Sequence, residues 1–286
     1  MSLANTPTGT SILPAEPTKP RRRRALRDPH ATSGAPAAGS AGADLSFRQE
    51  TLSDRDIQQA ATRIGHIAAY PELELAVFYL MLSTGARPLE LARLRTRDVL
   101  TEDGTIRHRT QYASFPPDSG ANARPVFLEC AAVRRALSVY ATFRHGAGHG
   151  TSDTAGFRGL DPDSPFFADP HGNPYVIEIT AGIQRDRHKC CGMLRTCRLV
   201  FRHARVPGIC VAALRRTLAV RLRSQGASLD EICAALGLKD RREARALLDE
   251  PDPVVKRRSL SEYFQNIVPD SYPDSSDDER YDPVEA

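Results

Sequence analysis

Between residues 51 and 98 the apolar positions recur every three or four residues, the period of a helix with one buried face. In "TLSDRDIQQAATRIGHIAAY" the stripe runs through Ile57, Ala60, Ile64 and Ile67, and Ser53 with Asp56 has capping-box spacing just ahead of it. "PELELAVFYLMLSTGA" follows as a second, mostly buried helix stopped by Gly85, and "RPLELARLR" opens a third with Pro88 in its first turn. After Asp98 the character changes. "GTIRHRTQY" and "ARPVFLEC" read as strands separated by the Pro- and Gly-bearing "ASFPPDSGAN", which predicts a small antiparallel hairpin or sheet. "AAVRRALSVYATFR" returns to helix, residues 146–160 form a Gly-rich loop, and "SPFFADPHGNPY" is a turn-rich connection. Three further helices are predicted, over 177–205, 211–225 and 229–237. The last has Ser228 as N-cap, Glu231 as its box partner, and Leu229, Ile232, Cys233 and Leu236 on one face. The pattern predicts a mainly α fold with a small antiparallel sheet (α+β) over residues 50–268.

Composition changes the picture at the ends. A hydrophobic content of 41% supports a sizeable core, but residues 1–49 are crowded with Pro, Ala, Gly, Ser and Thr and carry "KPRRRRALR", so a disordered basic arm is expected there. Residues 269–286 hold seven carboxylates against one arginine and are expected to be a disordered acidic tail. The arm carries about +4 and the tail about −6, so a chain total of +4 leaves about +6 on residues 50–268. A basic folded part favours polyanions such as nucleic acid.

Other classes are disfavoured. No run of 18 apolar residues exists and the N-terminus lacks an apolar signal stretch, so no membrane association is expected. The location expected is intracellular: cytoplasm or nucleoid, or the nucleus in a eukaryotic host. Arg21, Arg22, Arg23 and Arg24 read equally as a nuclear-localisation run or as a solvated charge run. The six cysteines lack the spacing of a secreted scaffold and are expected reduced. "HKCCGMLRTC" offers His188, Cys190 and Cys197 to a metal, but adjacent cysteines on a helix point about 100° apart and no paired CxxC is present. No metal and no cofactor are expected.

Two arginines stand out by context: Arg87 in "STGARPLELARLRTRDV" and Arg215 in "VAALRRTLAVRL". In the second helix Val211, Leu214, Leu218 and Leu222 form the apolar stripe. Arg215 lies one position off it, where a planar guanidinium can present two parallel donors to a phosphate. Here the chain resembles the tyrosine recombinases, or phage integrases. The family's first box, "TGxRxxEL" followed by "LxxxDI", is similar to the stretch supplying Thr84, Gly85, Arg87, Glu90, Leu91 and Asp98. Its intermediate turn resembles "SPFFADPHGNPY". Its second box, "HxLRHTxAxxLxxxGxxxxxIxxxLGH", is matched at Leu214, Arg215, Thr217, Ala219, Leu222, Gly226, Ile232, Leu236 and Gly237.

The resemblance implies the catalytic-domain fold of that family and two phosphate-gripping arginines, Arg87 and Arg215. It implies also a histidine and a hairpin lysine that move protons, and a tyrosine that attacks phosphorus to form a covalent protein–DNA link. The arginines survive and the rest does not. Ala212 stands where the family has histidine, Leu238 where it has histidine or tryptophan after "LG", and the tyrosine position falls on or beside Leu247. No lysine occurs between positions 20 and 188; Arg107, Arg109 or Arg124 can touch DNA at the hairpin, but a guanidinium with pKa above about 12 is a poor proton donor.

Loss of proton-transfer groups costs about 10²- to 10⁴-fold each, whereas loss of the nucleophile removes the covalent route. Tyr263, 48 residues after Arg215, is the one substitute nucleophile, acting in cis or on a neighbouring protomer; as an alternative it anchors a C-terminal helix with Phe264. The reading preferred is a DNA-binding protein of a mobile element, a pseudoenzyme with cleavage lost or severely impaired. Arg87 and Arg215 would hold a phosphate of double-stranded DNA, Arg93, Arg124 and Arg216 would add contacts, and Arg21, Arg22, Arg23 and Arg24 would lie along phosphates or in a minor groove. The alternatives are a divergent active recombinase that uses Tyr263, and a protein-interaction scaffold. Self-association or pairing with an intact recombinase is compatible with each.

Overall fold

The computed structural model describes residues 51–113, 123–153, 155–182, 186–248, 263–265 and 267–269. The basic arm, with Arg21, Arg22, Arg23 and Arg24, and all of the acidic tail beyond Pro269 lie outside the described residues. Chain contacts separate Met1–Ser46 from Phe47–Ala286, and everything described belongs to the second unit.

The order of elements is α1 (Asp54–Ile67), α2 (Pro71–Thr84), α3 (Pro88–Arg93), α4 (Thr96–Val99), β1 (Arg109–Tyr112), β2 (Arg124–Phe127), α5 (Ala131–Gly146), β3 (Glu178–Thr180), β4 (Arg187–Lys189), α6 (Cys191–Ala204), α7 (Val211–Ser224), α8 (Leu229–Leu236) and α9 (Arg241–Leu248). The fold is thus mostly helical with two small antiparallel hairpins, β1–β2 and β3–β4.

The centre is α2. Every residue from Leu73 to Thr84 is buried, and the helix packs against α1, α5, α6 and α7. Its apolar residues leave water on all sides, each large aliphatic or aromatic side chain contributing about 1.5–3 kcal/mol by burial. The polar groups carried inside are satisfied locally: Thr84 Oγ1 donates to the Leu80 carbonyl at 2.6 Å, and the Glu74 carboxylate meets His203 Nδ1 of α6 at 2.7 Å. Around this centre α1 starts at the expected Ser53–Asp56 capping box and buries Ile57, Ala60, Ala61 and Ile64; Ile67, expected on the same stripe, is 39% exposed at the helix end. The Ser228–Glu231 box likewise starts α8.

One element departs from expectation. The helix predicted over 177–205 begins only at Cys191, and the preceding residues form the β3–β4 hairpin, with Glu178 opposite Lys189 and Thr180 opposite Arg187. The β-branched run Val176, Ile177, Ile179 and Thr180 favours extended backbone, and Val176 and Ile179 are 73% and 64% exposed instead of facing a helical core. No helix among the described residues is long and apolar enough to cross a membrane.

Candidate nucleic-acid interface

The site is built where α2 and α8 end. The C-terminal carbonyls of a helix lack intrahelical partners and carry the negative end of its dipole, so two converging helix ends suit cationic donors. Here α2 closes on Gly85 and α8 on Gly237, both left-handed at φ 60°. Gly85 is required twice over: an L side chain is strained at that φ, and a Cβ there would run into Leu236 Cδ2.

Two arginines bridge the helix ends. Arg215, on α7, donates from Nη1 to the Gly85 carbonyl at 2.7 Å and from Nη2 to the Leu236 carbonyl at 2.8 Å. Arg124, the first residue of β2, donates from Nη1 to the carbonyls immediately before them, Thr84 at 3.0 Å and Ala235 at 2.6 Å. Two consecutive carbonyls at each helix end are thereby satisfied by two guanidinium groups, one from α7 and one from the hairpin.

Arg124 is further fixed by a carboxylate and a ring. Its Nε and Nη2 reach Glu90 Oε1 and Oε2 at 2.8 and 2.9 Å, a bidentate pair. Its guanidinium carbon lies 4.4 Å from the centroid of Tyr112, its cross-strand partner in the hairpin register. The Tyr112 hydroxyl closes the circuit on Thr84 Oγ1 at 3.1 Å. Glu90 Oε2 also accepts the Arg87 backbone N–H at 2.7 Å, which starts α3 and holds Arg87 at its N-cap.

The electrostatics follow from this packing. Burial alone pushes the Glu90 carboxyl up, but the hydrogen bonds and charge of Arg124, with the Arg87 N–H, together outweigh it and leave the carboxyl below its ordinary range. Arg215 is pulled down to about 10, first by burial and then by the charges of Arg87 and Arg124. It remains a cation at neutral pH. Burial likewise pushes the Tyr112 phenol up, so it stays a neutral donor.

Arg87 and Arg215 are therefore brought to one place: Arg215 is fastened to Gly85, two residues before Arg87, and feels the Arg87 charge. They differ in access. Arg87 is exposed, whereas Arg215 is 8% exposed, deeper than its place one position off the apolar stripe suggests. Arg124 is 6% exposed and turned inward onto Glu90 and the helix ends, not outward as a DNA contact. Arg93 on α3 and Arg216 on α7 are half-buried. Ala212 is half-buried in the first turn of α7, Leu238 follows Gly237, and Leu247 lies on α9, which packs against α7 and α8.

Tyr263 is fully buried. Its neighbours are tied into the core: Phe264 stacks on Phe127 at 5.0 Å, the Ile267 carbonyl accepts Arg221 Nη1 at 3.0 Å, and the Val268 carbonyl accepts Cys130 Sγ at 3.3 Å.

The roles of Glu90 and Tyr112 escaped the reading of the sequence. A usable signal was present for Glu90, an acid at the third position of a helix that has arginine at its start. For Tyr112 the strand register was needed.

No protein-family model matches the chain, and no curated protein sequence is similar to it. Solved structures are similar. The crystal structure of XerA recombinase aligns with a TM-score of 0.50 and 16% identity, over 71% of this chain and 61% of that one. XerH site-specific recombinase bound to a palindromic difH substrate in a post-cleavage complex aligns with a TM-score of 0.47 and 15% identity, over 70% and 50%. The Tn1549 transposon integrase in complex with transposon right end DNA aligns with a TM-score of 0.46 and 15% identity, over 71% and 62%. The chain thus spans between 50% and 62% of the lengths of these proteins. The likeness to XerA recombinase shows the fold: the chain folds as a tyrosine recombinase catalytic domain.

Proposed function

We propose that this protein binds double-stranded DNA through the face around Arg87 and Arg215, that strand cleavage is lost or severely impaired, and that it serves a mobile element. The observation that carries the reading is the fastening of Arg215 to the Gly85 carbonyl, which gathers two guanidinium groups at one site while aliphatic side chains stand at Ala212, Leu238 and Leu247. Arg87 is the exposed member and makes the phosphate contact. Arg215 adds its charge from beneath and holds the loop that presents Arg87. Arg93 and Arg216 add long-range attraction, and Arg21, Arg22, Arg23 and Arg24 raise affinity without sequence specificity. Arg124, expected at first to meet DNA, has a positioning role in this reading, through Glu90 and the two helix ends.

Cleavage needs an attacking hydroxyl, and a methyl or isobutyl group supplies neither nucleophile nor proton. The buried position of Tyr263 supports its role as an anchor of the C-terminal segment. A nicked suicide substrate tests this directly. Duplex DNA is expected to be retained without a covalent adduct; an adduct that disappears in Tyr263→Phe would establish an active enzyme and overturn the reading.

A further inference from the structure

A second basic feature lies beside the site. Arg97, Asp98, Arg107, Arg109, Thr110 and Gln111 line an open cleft of about 430 Å³. Asp98 accepts the Arg95 backbone N–H at 2.8 Å, and Arg97 is held by Asp163. Arg107 is fixed through Nε by the Arg97 and Leu100 carbonyls at 2.8 and 3.1 Å. Neither Arg107 nor Arg109 has a carboxylate partner among the described residues. With Arg97 paired to Asp163 and Asp98 the one carboxylate in the lining, Arg107 and Arg109 leave the cleft with an excess of positive charge, which suits an acidic ligand.

The chain carries such a ligand, and its root is adjacent. Residues 270–286 hold seven carboxylates and one arginine. The segment leading into them is pinned by Phe264 on the Phe127 ring, and the Arg109 guanidinium carbon lies 5.4 Å from the centroid of that same ring. The carbonyls of Ile267 and Val268 are fixed in turn by Arg221 and Cys130. Asp270 follows the fixed Val268 by two residues, a reach of up to about 7 Å, and Cys130 lies two residues beyond Leu128, whose N–H donates at 2.8 Å to the carbonyl of His108 between Arg107 and Arg109, so the tail starts beside that strand.

We propose that the acidic segment 270–286 docks on the Arg107–Arg109 cleft and competes there with DNA, so that the protein limits its own affinity for polyanions. The competition rests on the DNA-binding reading above; the docking does not. Intramolecular tethering gives the segment an effective concentration in the millimolar range, enough for a weak electrostatic contact to be occupied.

The test compares the full-length protein with a full-length variant whose seven tail carboxylates are replaced by amides. Affinity for an arbitrary duplex, read by fluorescence anisotropy at about 100 mM salt, is expected to rise about tenfold in the amide variant, and its salt slope to steepen by about 2, the two freed arginines each displacing a counter-ion. Separately and without DNA, a labelled peptide of residues 270–286 is expected to bind the amide variant and to weaken at least about fivefold when Arg107→Ala and Arg109→Ala are added. Loss of peptide affinity in that double variant when neither protein binds DNA would leave the docking standing and the DNA reading refuted. Equal affinities and slopes for the two proteins would overturn the competition. Absence of peptide binding, or binding indifferent to Arg107 and Arg109 but abolished by changing Arg21 to Arg24 to glutamine, would overturn the docking.

Discussion

Replacing Glu90 by glutamine would probe the pair that holds the two helix ends and the hairpin together. The carboxylate receives the whole outer edge of Arg124, whose side chain is 6% exposed, while its own is 21% exposed. Glu90→Gln keeps the shape and one acceptor oxygen but turns an N–H toward an N–H and leaves the Arg124 charge without its counter-ion. Breaking a buried pair from one side costs about 3–5 kcal/mol, and the retained acceptor places this case near the lower end, about 3 kcal/mol. For a folded unit of about 200 residues that is a fall in Tm of about 6–12 °C.

The assay is urea unfolding of wild type, Glu90→Gln, Arg124→Met and the double variant. Arg124→Met also strips donors from the Thr84 and Ala235 carbonyls, so the double variant stays destabilised, but by at least about 1 kcal/mol less than the sum of the singles. The pH dependence has a fixed sign. The Glu90 carboxyl is depressed in the folded state, so its stabilisation is complete above the ordinary 4.5 and is lost as the pH falls through the lower folded value. Glu90→Gln should lack that acid-side loss. A cost under about 0.5 kcal/mol, or strict additivity in the cycle, would refute the coupling.

Three other outcomes are expected. Gly85→Ala should cost at least about 2 kcal/mol in chemical unfolding, since φ is 60° and the new methyl meets Leu236; a neutral change would show that the end of α2 relaxes freely. Arg215→Lys should lower stability and DNA affinity together, because one ammonium cannot bridge Gly85 and Leu236 as the planar fork does; unchanged thermal melting would contradict the bridge. Burial holds the Glu74 carboxyl up against the lowering effect of His203, so its stabilisation is present at low pH and lost as the pH rises above the ordinary 4.5. Glu74→Gln should flatten the fall of urea midpoints as the pH rises above 4.5, and an unaltered profile would count against that origin.

How much of this was legible in the sequence depends on whether local chemistry or tertiary pairing decides each feature. The Ser53–Asp56 and Ser228–Glu231 boxes and the Gly85 stop fixed helix ends almost to the residue, because caps act within one turn. The 177–205 stretch misled because its β-branched residues make a three-residue hairpin too short to show a clear period of two. The inward turn of Arg124 was not legible at all. Which face of β2 it occupies depends on the register that sets it opposite Tyr112, and its acceptors come from α2, α3 and α8, up to 111 residues away along the chain. The gathering of Arg87 and Arg215 was expected from motif resemblance, but the burial of Arg215 under a carbonyl pair was not.

The most direct measurement is the salt dependence of duplex DNA affinity for wild type against Arg87→Ala, from about 50 to 200 mM salt. The account predicts a steep fall for wild type, and for Arg87→Ala weaker binding with a slope reduced by about 1, the loss of one phosphate contact, with unfolding unchanged. A flat wild-type dependence, or an Arg87→Ala slope identical to wild type, would contradict phosphate recognition at this site.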